Sequence, residues 1–139
     1  MKYLLDTNII SELVSKKPNK IVVEYINNLN QDDVYLSVIT IGEIQAGIQN
    51  IESESRKALL LKWLYSDLFK KFENKIIHID IDIMLMWGNI NHQLKKAGKP
   101  LPIMDSLIAA TCIQNKGTLI TRNESDFKNL EIAIINPFK

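Results

Sequence analysis

The chain has 139 residues, 46% of them hydrophobic and 24% charged, the size and balance of one folded domain and far from the signature of a disordered chain. A single cysteine, Cys112, excludes an internal disulfide and a cysteine-rich metal centre, and no apolar run approaches the roughly 20 residues needed to cross a bilayer. The net charge of +1 lacks the basic excess that commonly marks a nucleic-acid-binding domain, so composition alone names no partner.

The first element, Lys2 to Asp6, is a short apolar run ending on an acid, and Thr7, Asn8 and Ser11 suit a turn into a helix. Asp6 interrupts this apolar stretch and no small-residue cleavage site follows, so the expected location is the cytoplasm. Val22, Tyr25, Ile26 and Leu29 recur at helical spacing, and Val34 to Ser37 reads as a compact strand. A helix is predicted to begin near Thr40. A long one follows from about Ser53 to Phe72, with Leu60, Trp63, Leu64, Leu68 and Phe72 on one face. Ile76 to Ile79 reads as a strand. Met84, Trp87, Ile90, Asn91 and Leu94 then mark a helix stopped by Gly98 and Pro100. Pro102 suits the first turn of a nearly all-apolar helix that runs towards Gly117, followed by the strands Thr118 to Thr121 and Ile132 to Ile135. Strands alternating with helices predict a single α/β domain over residues 1–139, with three layers and a mostly parallel central sheet.

Ligands of such sheets bind beyond the carboxyl ends of the strands. Five polar residues are predicted to converge there: Asp6 after the first strand, Glu43 in the first turn of the helix after the second, Asp105 at the start of the apolar helix, and Asn123 and Asp126 after Thr118 to Thr121. Carboxylates gathered in this way repel one another unless a divalent cation or a raised pKa relieves them. Hard oxygen donors favour magnesium or manganese over zinc. Each residue also has a purely structural explanation. Thr40 and Glu43 have the spacing of a capping box, and Asp105, Asp6, Asn123 and Asp126 are all suited to helix ends or turns. The five count together because they fall at one end of the sheet.

Other residues carry less. His78 and His92 lack metal-ligand spacing, Cys112 reads as a buried small apolar residue, and Gly98 with Lys99 lacks the glycine pattern of a phosphate loop. Trp63, Phe72, Met84 and Trp87 read as core or dimer contacts.

The segments LLDTNIISEL, SVITIGEIQAGI, PIMDSLIAATC and TRNESDF, followed by INPF, resemble the PIN-domain family, and among its members the VapC and FitB toxins. The match runs in order over nearly the whole chain. The resemblance implies a Mg2+-dependent endoribonuclease, with Mn2+ as a substitute, in which Asp6, Glu43 and Asp105 form the acidic triad and Asp6 and Asp105 are the principal metal ligands. It also implies a structured RNA substrate such as a tRNA or ribosomal loop, a cognate antitoxin, and a homodimer or larger toxin–antitoxin assembly. FitB-like members carry a fourth acid directly after the Thr-Arg pair, where this sequence has Asn123 and then Asp126, so either residue could complete the site. Arg122 and the lysines near Lys99 are candidate phosphate contacts. The alternatives are a PIN domain kept as a protein-interaction module, its site weakened by Asn123, and a phosphoacceptor signalling domain. The latter calls for paired acids after the first strand, where Thr7 and Asn8 stand beside Asp6.

Overall fold

The computed structural model describes residues 1–139. Five strands, β1 (Tyr3–Leu5), β2 (Val34–Ser37), β3 (Ile76–Ile77), β4 (Thr118–Ile120) and β5 (Ala133–Ile135), form one sheet in the order β3-β2-β1-β4-β5. Every pairing is parallel, so the sheet expected to be mostly parallel is wholly so. Strands this short and apolar need cover on both faces. Neighbouring side chains accordingly leave in opposite directions. Leu5 and Ile120 join one core with Ile9, Val22, Leu36, Leu64 and Phe72, whereas Leu4 and Leu119 join another with Ile108, Cys112 and Phe127.

The helices α1 (Thr7–Leu13), α2 (Lys20–Asn27), α3 (Val38–Gln49), α4 (Glu54–Lys62) and α5 (Phe69–Lys71) precede β3, and α6 (Ile81–Lys96) and α7 (Ile103–Gln114) follow it. The predicted long helix is present, but its middle, Trp63–Leu68, is wound as a π-helix between α4 and α5. Leu60, Leu64, Leu68 and Phe72 are buried along it, while Trp63 is half-buried. No helix is long and apolar enough to cross a membrane.

Several boundaries differ from the sequence reading. β3 stops at Ile77, leaving His78 exposed beyond the strand. The core face of α6 is Ile83, Ile90 and Leu94, whereas Met84 is exposed. Trp87 is half-buried and donates its indole N–H to Ser106 Oγ at 2.9 Å, tying α6 to α7. Gly98 takes φ +70° just past α6, the left-handed conformation that ends a helix most easily at glycine. After α7 the left-handed residue is Lys116, at φ 54°, not Gly117. Gly117 is needed for close approach, since a Cβ there would meet the Lys2 carbonyl at 3.2 Å.

The strand order positions the site. The chain steps outward from β1 to β2 to β3, then returns to the other side of β1 for β4 and β5. Segments leaving β1 and β4 therefore diverge and open a crevice at their carboxyl ends, the usual binding position of such sheets.

Candidate active site

Asp6 leaves β1 directly into this crevice and is 4% exposed. Its backbone N–H donates to the Ile120 carbonyl at 2.9 Å, extending the β1–β4 pairing by one residue and fixing the carboxylate at the switch point. One carboxylate oxygen accepts the Thr7 N–H at 2.8 Å and caps α1. The other accepts the Thr121 hydroxyl at 2.8 Å and the Asn8 side-chain amide at 3.2 Å. Asp6 is therefore a cap as well as a candidate site residue. Burial raises its pKa and outweighs the lowering by the Thr121, Thr7 and Asn8 hydrogen bonds, with Glu43 adding repulsion.

Glu43 approaches from α3. The capping box expected at Thr40 does not form, because Ser37 caps the helix by accepting the Ile39 N–H at 3.0 Å. With the helix starting at Val38, Glu43 lies in its second turn and faces the crevice instead of the helix end. Its carboxylate accepts the Thr7 hydroxyl at 2.6 Å, and Thr40 is buried with its own hydroxyl 3.1 Å from Thr7 Oγ1.

Asp105 sits in the first turn of α7, after Pro102 at the N-cap position with no side-chain cap. Its pKa is raised first by burial and then by repulsion from Asp6, Glu43 and Asp126. The charges acting on it are all negative. This joins four of the five predicted residues in one electrostatic cluster. Asp126 is exposed within the 3-10 turn Glu124–Phe127 that follows β4. Asn123 precedes that turn, exposed, and is held through its backbone N–H to Thr121 Oγ1 at 3.0 Å; its side chain caps nothing. His78 and His92 are exposed.

The residues that sequence reasoning missed are Thr121, Thr40 and the hydrogen-bonding roles of Thr7 and Asn8. Thr121 is fully buried and its hydroxyl serves Asp6, Asn8 and the Asn123 backbone together. The available signal was a threonine closing a buried strand, a polar atom that must find partners when buried.

The donor set is all oxygen and strongly anionic, the chemistry suited to Mg2+ or Mn2+. No three Asp, Glu, His or Cys side chains already close on a common point. The fit is thus of charge and donor type, with Asp6 held by three hydrogen bonds and Glu43 by the Thr7 hydroxyl. Cys112 is buried in the α7 core, where burial pushes its thiol up to about 12, so it supplies no nucleophile.

The raised pKa of Asp105 makes a prediction for the metal-free protein. Between the ordinary Asp pKa and the raised folded value, the native state binds more protons than the unfolded state, so stability falls as pH rises through that window. At neutral pH the whole penalty is present. Asp105→Asn is expected to be more stable than wild type in chelator at pH 7, with the advantage fading as the pH is lowered to about 4 and below. Urea titrations at the two pH values test this, and an advantage that grows on acidification would contradict it.

A PIN domain family model matches residues 3–133. The chain is 33% identical over 135 residues to the toxin FitB of Neisseria gonorrhoeae, covering 97% of both chains. It is 29% identical over 136 residues to the VapC ribonuclease Y4jK of Sinorhizobium fredii, covering 98% of this chain and 97% of the relative. The crystal structure of FitAcB from Neisseria gonorrhoeae superimposes with a TM-score of 0.93 at 33% identity, covering 98% of each chain. A fold, an ordered set of motifs and a strand-end acidic crevice all agree over the same residues: the chain belongs to the PIN-domain family.

Proposed function

We propose that this chain is the ribonuclease toxin of a toxin–antitoxin pair, hydrolysing RNA phosphodiester bonds with Mg2+, or Mn2+ in its place, held by Asp6, Glu43 and Asp105. The carrying observation is the meeting of Asp6, Glu43, Asp105 and Asp126 at the β1/β4 switch point, where the charges acting on Asp105 are all carboxylates. Bound there, the metal would offset negative charge on the phosphate and make water more acidic. Asp6 is rigid because three donors hold it. Glu43 accepts Thr7 on one oxygen and keeps the other free to take the proton of the attacking water. Water adds to phosphorus as the bond to the 3′ oxygen breaks, leaving a 5′-phosphate and a 3′-hydroxyl. In this reading Asp126 serves as the fourth acid, because its charge reaches Asp105.

The substrate in this reading is a structured RNA, cut in a tRNA or ribosomal loop whose bases are unpaired, since duplex RNA hides its edges in a groove too narrow to read. The reaction belongs to the cytoplasm, where such RNA lies. An apolar cleft of about 210 Å³ lined by Ile10, Val14, Ile44, Ile48, Leu60 and Trp63 runs up to Glu43 and suits an amphipathic antitoxin helix. A second cleft, where Met104 of α7 adjoins Val38, Ile39 and Ala46 of α3, together with exposed Ile103 next in sequence, supports a homodimer.

Purified protein is expected to cut a mixture of tRNA and ribosomal RNA in Mg2+ or Mn2+ and to be silent in chelator. Expression without an antitoxin should arrest growth, and Asp105→Ala should relieve the arrest. Cleavage that persists in chelator would reject the metal reading, and folded protein that binds no Mg2+ and cuts no RNA would favour an interaction module.

A further inference from the structure

Arg122 follows Thr121 at the rim of the crevice, two hydrogen bonds from the Asp6 carboxylate. Its backbone N–H donates to Asn8 Oδ1 at 3.1 Å, and Asn8 Nδ2 donates to Asp6. Its guanidinium lies over the Phe138 ring, 4.6 Å from the centroid. Phe138 is itself fixed. Its N–H donates to Asn136 Oδ1 at 3.0 Å, Asn136 Nδ2 donates to the Arg122 carbonyl at 3.2 Å, and Lys139 pairs with Glu124 in the same turn. The segment after β5 is thereby strapped across the turn after β4. Phe138 also packs on the main core.

Two features make this arginine unusual beside so many acids. It pairs with none of them: Lys139 to Glu124 is the ion pair of the structure, and no cation figures among the charges on Asp6 or Asp105. It is nevertheless held in place. Stacking on a ring face fixes a guanidinium without using its N–H donors, so all five stay free for a bidentate partner. A polyanion entering an acidic crevice needs attraction outside the acids themselves. We propose that Phe138 presents Arg122 to a phosphate flanking the scissile one, making Arg122 a substrate-binding residue and Phe138 its positioning residue. This rests on the ribonuclease reading above.

The assignment concerns a bond made equally in the ground and transition states, so its loss raises KM and spares kcat. Arg122→Ala is expected to raise KM for RNA about tenfold, with kcat within about twofold. Phe138→Leu, which keeps the apolar contact and removes the ring face, should raise KM by about threefold, and Phe138→Tyr should restore it. The binding of a short fluorescent single-stranded RNA, measured with Ca2+ in place of Mg2+ to slow cleavage, should lose about 0.7 from its salt slope in Arg122→Ala, as for one phosphate contact. A purely structural strap would lower thermal stability without moving that slope. If wild type cleaves RNA while Arg122→Ala keeps both its KM and its salt slope, the assignment is overturned and the ribonuclease reading stands. If wild type neither binds nor cleaves RNA, both fall.

Discussion

Asp6→Asn is expected to reduce Mg2+-dependent RNA cleavage by more than about a hundredfold while leaving a folded protein. Replacing even an outer partner of a metal site commonly costs about 10- to 100-fold, and Asp6 is proposed as a direct ligand. The isosteric amide keeps the cap, because its oxygen can still accept the Thr7 N–H. On the other side, Asn8 Nδ2 and Thr121 Oγ1 now donate to a carboxylate oxygen, and an amide nitrogen there offers them a donor instead. That loss is opposed by removal of a charge that burial disfavours. The two effects are of similar size, so the net change in stability should stay within about 1 kcal/mol. Initial cleavage rates with circular dichroism on the same samples test the pair of expectations. Retention of more than about a tenth of wild-type rate would remove Asp6 from the metal site.

Phe127→Ala is expected to cost about 3 to 5 kcal/mol, the largest stability effect expected here. Phe127 is 1% exposed and packs with Leu4, Ile108, Ala109, Cys112 and Leu119, so its ring joins β1, β4 and α7 beneath the turn that carries Asp126. Truncation leaves a cavity that these rigid elements cannot collapse to fill. Native domains are stable by only about 5 to 15 kcal/mol, so the loss is a large fraction of the total. A fall in Tm of about 10 to 20 °C is the corresponding thermal result. Phe127→Leu should lose less than half as much, and at low temperature it should keep measurable cleavage. A denaturant-derived loss below about 1.5 kcal/mol for Phe127→Ala would show that the turn is anchored elsewhere, for example by Asn136 and Lys139.

The sequence by itself determined the alternation of short apolar strands with amphipathic helices, and from it the parallel sheet, because strands with no polar alternation must be covered on both faces. It also placed Asp6, Glu43, Asp105, Asn123 and Asp126 at strand ends, and the ordered motifs carried the family. Tertiary structure decided which of these carboxylates feel one another. Whether Glu43 was a cap turned on where α3 begins, and one hydroxyl competing with another settled it: Ser37 captures the helix end, which moves Glu43 a turn inward to meet Thr7. The charge of Asp126 reaches Asp105 because the 3-10 turn that carries it is anchored by Phe127, a contact between residues far apart in sequence. Thr121 became a hub only because β4 lies beside β1, 115 residues away, so that its hydroxyl reaches the Asp6 carboxylate. Likewise the strap over Arg122 depends on β5 pairing with β4, which returns Asn136 and Phe138 to the rim of the site. Local pattern records the period and ends of elements, whereas hydrogen bonds between elements are set by packing geometry that no window of sequence contains.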